Sequence, residues 1–155
     1  MSFIAAGGSG VQPKATIAND GFFPDIDPEE VRAAHRLDGT VTPERLRHSL
    51  IEAIASTNRE LGAWKAAQIL AGYQTLDAVP ADMLDGESVQ LSRYRRAVYS
   101  TAKASLSERY RDYDSTAAGN KKADEMENPI DDLRRDARWA INDILGISRT
   151  TVELI

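Results

Sequence analysis

Apolar residues recur at helical spacing through most of the chain beyond residue 22. In the longest such stretch Leu46, Leu50, Ala53, Ile54, Thr57, Leu61 and Trp64 return at intervals of three or four, the period of one buried helix face. Thr42-Pro43-Glu44 opens it: a threonine oxygen for the first N–H groups, a proline where no N–H is needed, and a carboxylate at the positive helix end. Gly72 supplies a left-handed stop. The pattern predicts one helix of about 30 residues, roughly 45 Å long. Gly62 weakens its interior by about 1 kcal/mol relative to alanine, which a tight crossing would explain.

The same logic marks three more helices. Asp27 caps a short one that starts at Pro28, runs to about Leu37 and stops near Gly39, with Glu29 and Glu30 in its first turn. Phe22-Phe23 just before it reads as an apolar latch. Tyr73 to Met83, containing Pro80, is a connector. A third helix starts at Asp85-Gly86-Glu87-Ser88 and carries the stripe Leu91, Tyr94, Val98, Ala102, Leu106, Tyr110 and Tyr113. Asp114 to Asn120 forms a loop. The fourth runs from about Ala123 to Leu145, buries Met126, Ile130, Leu133, Ala137, Ile141 and Ile144, and stops at Gly146. Pro129 either kinks its first turn or marks its true start.

The two ends lack this period. Residues 1–21 hold four of the ten glycines and read as a flexible arm without a core, or as a disordered tail. Residues 147–155 are β-branched and roughly alternating; they form an irregular tail or add to a strand of another chain. The expectation is an all-α protein with a single domain over 22–146, built from about four helices, two of them long.

Composition narrows the chemistry. Three Phe and two Trp in 155 residues leave a core of Leu, Ile, Val and Ala, which suits packed helices. The absence of cysteine excludes disulfides, thiolate zinc and a cysteine nucleophile, and fits a reducing compartment. The first residues, Met-Ser-Phe-Ile-Ala-Ala-Gly-Gly, have neither the basic patch nor the apolar run of a signal peptide. No apolar run approaches the roughly 20 residues that span a bilayer. A cytoplasmic protein is expected, with no membrane partner. A net charge of −5 argues against a broad grip on phosphates.

Charge is uneven. The third helix carries Arg93, Arg95, Arg96, Lys103, Arg109 and Arg111; the fourth carries Asp124, Glu125, Glu127, Asp131, Asp132, Asp136 and Asp143. Such complementary faces can set the register of neighbouring helices or subunits. They also fit solvated faces with i,i+4 pairs such as Asp131–Arg135, worth a few tenths of a kcal/mol. Trp139 falls opposite the buried stripe with Arg135 one turn before it, which reads as an interface anchor or as a ring lying on a neighbouring helix. No catalytic constellation appears. His35 and His48 stand in separate helices without ligand partners, and Gly7-Gly8-Ser9-Gly10 lacks the strand and the Lys-Ser/Thr of a phosphate loop. No enzyme activity, cofactor or metal is expected.

Several stretches, taken in order, carry a resemblance: Phe22-Phe23-Pro24-Asp25-Ile26-Asp27-Pro28, Val79-Pro80-Ala81-Asp82, Asp85-Gly86-Glu87-Ser88, Ser105-Leu106-Ser107-Glu108-Arg109-Tyr110-Arg111, Lys121-Lys122-Ala123-Asp124 and Arg138-Trp139-Ala140. Together they resemble the GPL-type head completion proteins of temperate contractile-tailed phages, from about Phe22 to the C-terminus. The resemblance implies virion assembly. After DNA packaging such proteins bind the portal vertex, extend its channel and prepare the head for a tail. It implies as partners the portal protein, neighbouring copies in a dodecameric ring, and tail-terminator or other neck proteins, with DNA passing through unread. The implied location is the head–tail connector of the virion, assembled in the host cytoplasm.

On that basis two long helices stand as an antiparallel hairpin. The third and fourth helices of adjacent subunits meet basic face to acidic face, and the tail from Ile147 engages the portal or a neighbour. The contact residues expected are Arg93, Arg95, Arg96, Asp131, Asp132, Arg135, Trp139, Ile147, Val152, Leu154 and Ile155. The alternative is a small acidic helical regulator that binds nucleic acid through the third helix's arginines, or another protein.

Overall fold

The computed structural model describes residues 16–37, 39–113 and 117–148, and for 110–128 the backbone alone. It is mostly helical: α1 (Pro28–His35), α2 (Pro43–Glu60), α3 (Gly62–Leu70), a 3₁₀ turn (Leu76–Ala78), a hairpin of β1 (Met83–Leu84) and β2 (Glu87–Ser88), α4 (Val89–Tyr113) and α5 (Ala117–Leu145). The mostly helical expectation stands, with five α-helices among the described residues where about four were predicted.

The helix starts follow local chemistry. Asp27 Oδ1 accepts from the Glu29 N–H at 2.9 Å ahead of Pro28, and Thr42 Oγ1 from the Arg45 N–H at 3.3 Å ahead of Pro43. Helix α1 ends sooner than Gly39. Arg36 takes the left-handed conformation (φ 49°), and the Leu37 N–H bonds the Arg32 carbonyl at 3.1 Å, so a capping geometry usually given to glycine falls on an arginine. Gly72 and Gly146 do act as left-handed stops, at φ 102° and 71°.

The predicted 30-residue helix is two. Leu61 sits at φ −86°, ψ −1° between α2 and α3, although the Leu61 N–H still reaches Thr57 O at 3.0 Å and the Lys65 N–H reaches Leu61 O at 2.8 Å. A Cβ placed on Gly62 would meet nothing within 4 Å. The glycine therefore marks a weak point in the helix and not a tight crossing. Residues 83–88 do not begin α4 either. Asp85 (φ 50°) and Gly86 (φ 76°) form the two-residue turn of a hairpin pairing Met83 with Ser88 and Leu84 with Glu87, the geometry that Asp-Gly favours. Ser88 Oγ then accepts from the Gln90 N–H at 3.3 Å, and α4 follows.

Of the expected loop at 114–120, residues 117–120 already belong to α5, which continues past Pro129, while 114–116 lie outside the described residues. Helix α5 folds back along α4 in the most extensive interface of the chain, and α2 packs on α4. The core holds Leu46, Leu50, Ala53 and Ile54 of α2, Tyr94, Ala97, Val98, Ala102 and Leu106 of α4, and Ala140, Ile141 and Ile144 of α5. Of the predicted stripe residues, Leu91 and Leu133 are half-buried; the side chains of Tyr110, Tyr113 and Met126 lie outside the described residues.

The Phe pair is the latch that its position suggests. Phe22 and Phe23 are buried and meet edge to face at 5.1 Å; Phe23 stacks on Tyr94 at 4.6 Å, and Phe22 meets the Trp64 edge at 6.3 Å. The latch begins earlier than Phe22, however. Ile17 is buried and exchanges both backbone hydrogen bonds with Ile26, at 2.7 and 3.0 Å. Residues 16–21, assigned to the flexible arm, are thus folded onto the domain, while 1–15 lie outside the described residues.

Candidate protein-contact surfaces

Charge ties the helices of one chain together. Arg96 Nη2 lies 3.1 Å from Asp136 Oδ1, Arg134 pairs with Glu108, and Arg138 Nη1 meets Glu60 Oε2 at 2.6 Å. The first two join α4 to α5 and the third joins α5 to α2. Arg95 pairs with Glu87 of β2, and Arg93 Nη1 donates to Gln90 Oε1 at 3.3 Å. Of the basic face of α4 and the acidic face of α5, Arg96 and Asp136 thus pair within one chain, where the two helices are neighbours. Partly exposed pairs of this kind contribute about 0–1 kcal/mol each, so they set register more than stability.

The other predicted contact residues fall at separate places. On α5, Asp132 Oδ1 holds Arg135 at 2.6 Å, and Arg135 lies over the half-buried Trp139 ring at 4.7 Å. Asp131 is exposed beside them. This cluster faces outward as a cation–aromatic patch. Ile147 stands just past Gly146, is 53% exposed, and is anchored by its N–H to Asn142 O at 2.9 Å. Val152, Leu154 and Ile155 lie outside the described residues.

Two apolar surfaces were missed in the sequence. Helix α3 has no buried residue, and Ile69 and Leu70 at its end are exposed, Leu70 by 90%. Met83 and Leu84 of the hairpin are also exposed. Reading 43–72 as one helix hid the first, although Lys65 is the sole charge in Gly62–Leu70. Reading Asp85-Gly86 as a helix start hid the second; that dipeptide is itself a hairpin signal.

A groove of about 280 Å³ runs between α2, α4 and α5, floored by Ser56, Ala104 and Ala137 and rimmed by the Glu60–Arg138 and Glu108–Arg134 pairs. Its lining hydroxyls, among them Ser56 and Ser105, share the groove with no histidine or lysine, and its carboxylates, Glu60 and Glu108, are held by arginines. Among the described residues no group of three His, Asp or Glu could hold a metal ion, and no helix is long and apolar enough to cross a membrane. His48 is exposed. His35 is half-buried edge-on to Tyr99; burial, and then the nearby Lys103, hold its pKa below the usual histidine value.

One polar cluster is structural. Asn19 Nδ2 donates to Tyr94 Oη at 2.8 Å, Tyr94 Oη donates to Asn58 Oδ1 at 2.6 Å, and Asn58 Nδ2 donates to Asn19 Oδ1 at 2.8 Å. This closed cycle joins the N-terminal segment, α2 and α4, and burial pushes the Tyr94 hydroxyl pKa well up. Beside it Asp20 accepts from the Phe22 and Phe23 N–H groups and from Lys65 Nζ at 2.7 Å. Burial raises its carboxyl pKa, but the Lys65 bond and the two N–H groups outweigh that and leave it lowered.

Comparison with known proteins adds the remaining information. The family model for phage head completion proteins (GPL) matches residues 17–155. The head completion/stabilization protein of Escherichia phage P2 is 49% identical over 139 residues, covering 90% of this chain and 82% of the relative. No solved structure matches.

Proposed function

The chain belongs to the phage head completion protein (GPL) family, and from that premise we propose that it binds the portal vertex after packaging, extends the DNA channel and readies the head for the tail. Membership makes it a structural component of the phage head and not an enzyme, working through contacts with other head and neck proteins. The observation that carries the reading is the extent of the match, which runs through every element of the core from Ile17 to Ile144.

The geometry supports an adaptor. The body is braced by α2, α4 and α5, and most of its exposed large apolar residues, Ile69, Leu70, Met83, Leu84 and Ile147, sit at the ends of elements, with Ile51 on the outer side of α2 the exception. Copies join around the portal in a dodecameric ring, each meeting the next through unlike surfaces. The tail of Ile147, Val152, Leu154 and Ile155 reaches the portal or a neighbour, and the patch of Asp131, Asp132, Arg135 and Trp139 meets a neighbouring copy. Portal protein, tail-terminator and other neck proteins are its partners, at the head–tail connector. DNA passes without sequence-specific contact. The net charge is −5, and Arg95 and Arg96 of α4 already hold carboxylates, which weakens any broad grip on phosphates.

Imaging of the purified protein mixed with its purified portal tests this. Rings seated on the portal are expected, and truncation at Gly146 should weaken the association. Absence of association, together with salt-dependent DNA binding by the protein alone, would refute it in favour of a nucleic-acid-binding regulator.

A further inference from the structure

Helix α3 presents a face that nothing described covers. Its inward side is held by Trp64 against Phe22 and by Lys65 against Asp20. Outward, Ala63, Ala66, Ala67, Ile69 and Leu70 are all exposed. Positions 63, 66, 67 and 70 share one helical face, and that face carries no charge. An uncharged apolar stripe of this kind marks a contact surface.

The chain itself supplies matching chemistry at the same corner. Met1, Phe3, Ile4, Ala5 and Ala6 are apolar, Gly7-Gly8-Ser9-Gly10 follows, and Lys14 is the sole charged side chain of residues 1–15. The family match begins at residue 17, so this segment lies outside the stretch that shows the family. We propose that the apolar tip Met1–Ile4 docks on the outer face of α3 of the same chain.

Reach allows it. Asp20 is bonded to Lys65 of α3, so residue 16 lies within about 13 Å of that bond. Eleven residues, 5–15, span at most roughly 40 Å, while α3 is about 14 Å long. A tether this short holds the tip near the face at about millimolar effective concentration, which favours the same chain over a second copy in dilute solution.

The absence of cysteine makes a direct test possible in the full-length protein carrying Ser2→Cys and Ala67→Cys. Oxidation at low micromolar concentration should give an intramolecular disulfide, seen as a faster monomer band on a non-reducing gel. Adding Phe3→Ser and Ile4→Ser should slow its formation about tenfold, the effect of losing roughly 1.4 kcal/mol of contact, with the helical circular dichroism unchanged. Equal rates with and without the Phe3 and Ile4 substitutions would mean random collision of the tether and overturn the proposal. Predominant disulfide dimers would overturn it too, by making a neighbouring copy the occupant.

Discussion

Replacing Tyr94 with Phe removes one oxygen from the cycle that joins Asn19, Asn58 and Tyr94 and leaves the ring in place. The stack on Phe23, at 4.6 Å and 8° between planes, persists, so packing is nearly constant and the polar effect is isolated. Asn19 Nδ2 keeps the Pro24 carbonyl at 2.9 Å, but Asn58 Oδ1 loses the donor that reached it at 2.6 Å. Asn58 is half-buried, so leaving its acceptor without a donor costs toward the lower end of the range of about 1–3 kcal/mol for a fully buried group. With a urea m-value of roughly 1–3 kcal/mol/M for a small domain, the unfolding midpoint should fall by up to about 1 M at unchanged slope. A double-mutant cycle with Asn58→Ala should show strong coupling, because each change removes the same bond. A loss below about 0.5 kcal/mol, or additive effects in the cycle, would refute the view that this cycle anchors the N-terminal segment to α2 and α4.

Gly62→Ala should stabilise the chain by about 0.5–1 kcal/mol, read as a higher melting temperature, because a Cβ there meets nothing within 4 Å; destabilisation would restore the tight crossing. Gly72→Ala should cost about 1 kcal/mol in the same melts through its left-handed backbone alone (φ 102°). Asp20→Asn should reduce stability near neutral pH and have little effect in strong acid. The folded carboxyl has a lowered pKa, so its contribution is present above the ordinary aspartate range and lost as pH falls through the folded value; urea titrations at pH 7 and pH 2 check the sign. Arg134→Ala should change stability by less than about 1 kcal/mol in urea titration, since its pair with Glu108 is largely exposed.

Much of the fold was written locally. The caps at Asp27 and Thr42, the stops at Gly72 and Gly146 and the apolar stripe of α2 depend on neighbours within about four residues, and each appears where its residues stand. The Phe22-Phe23 latch was legible because two adjacent aromatics beside a helix start have to be buried. Local conflicts were harder to read. Arg36 takes a left-handed position that glycine would be expected to fill, and the helix is interrupted at Leu61 although that residue is buried and the apolar stripe runs unbroken in sequence. Asp85-Gly86 suits a helix start and a hairpin equally until the pairing of Met83 with Ser88 decides between them.

The contact surfaces divide in the same way. The sequence alone determined that the chain is helical, lacks catalytic groupings and resembles head completion proteins. It also located the charges. Only the tertiary structure decided that Arg96 pairs with Asp136 within one chain, that Ile17 closes the core, and that α3 turns its apolar face outward. Periodicity and capping act over a few residues, whereas partners across 26 to 78 positions, such as Glu108 with Arg134 or Glu60 with Arg138, are chosen by which helix faces pack together.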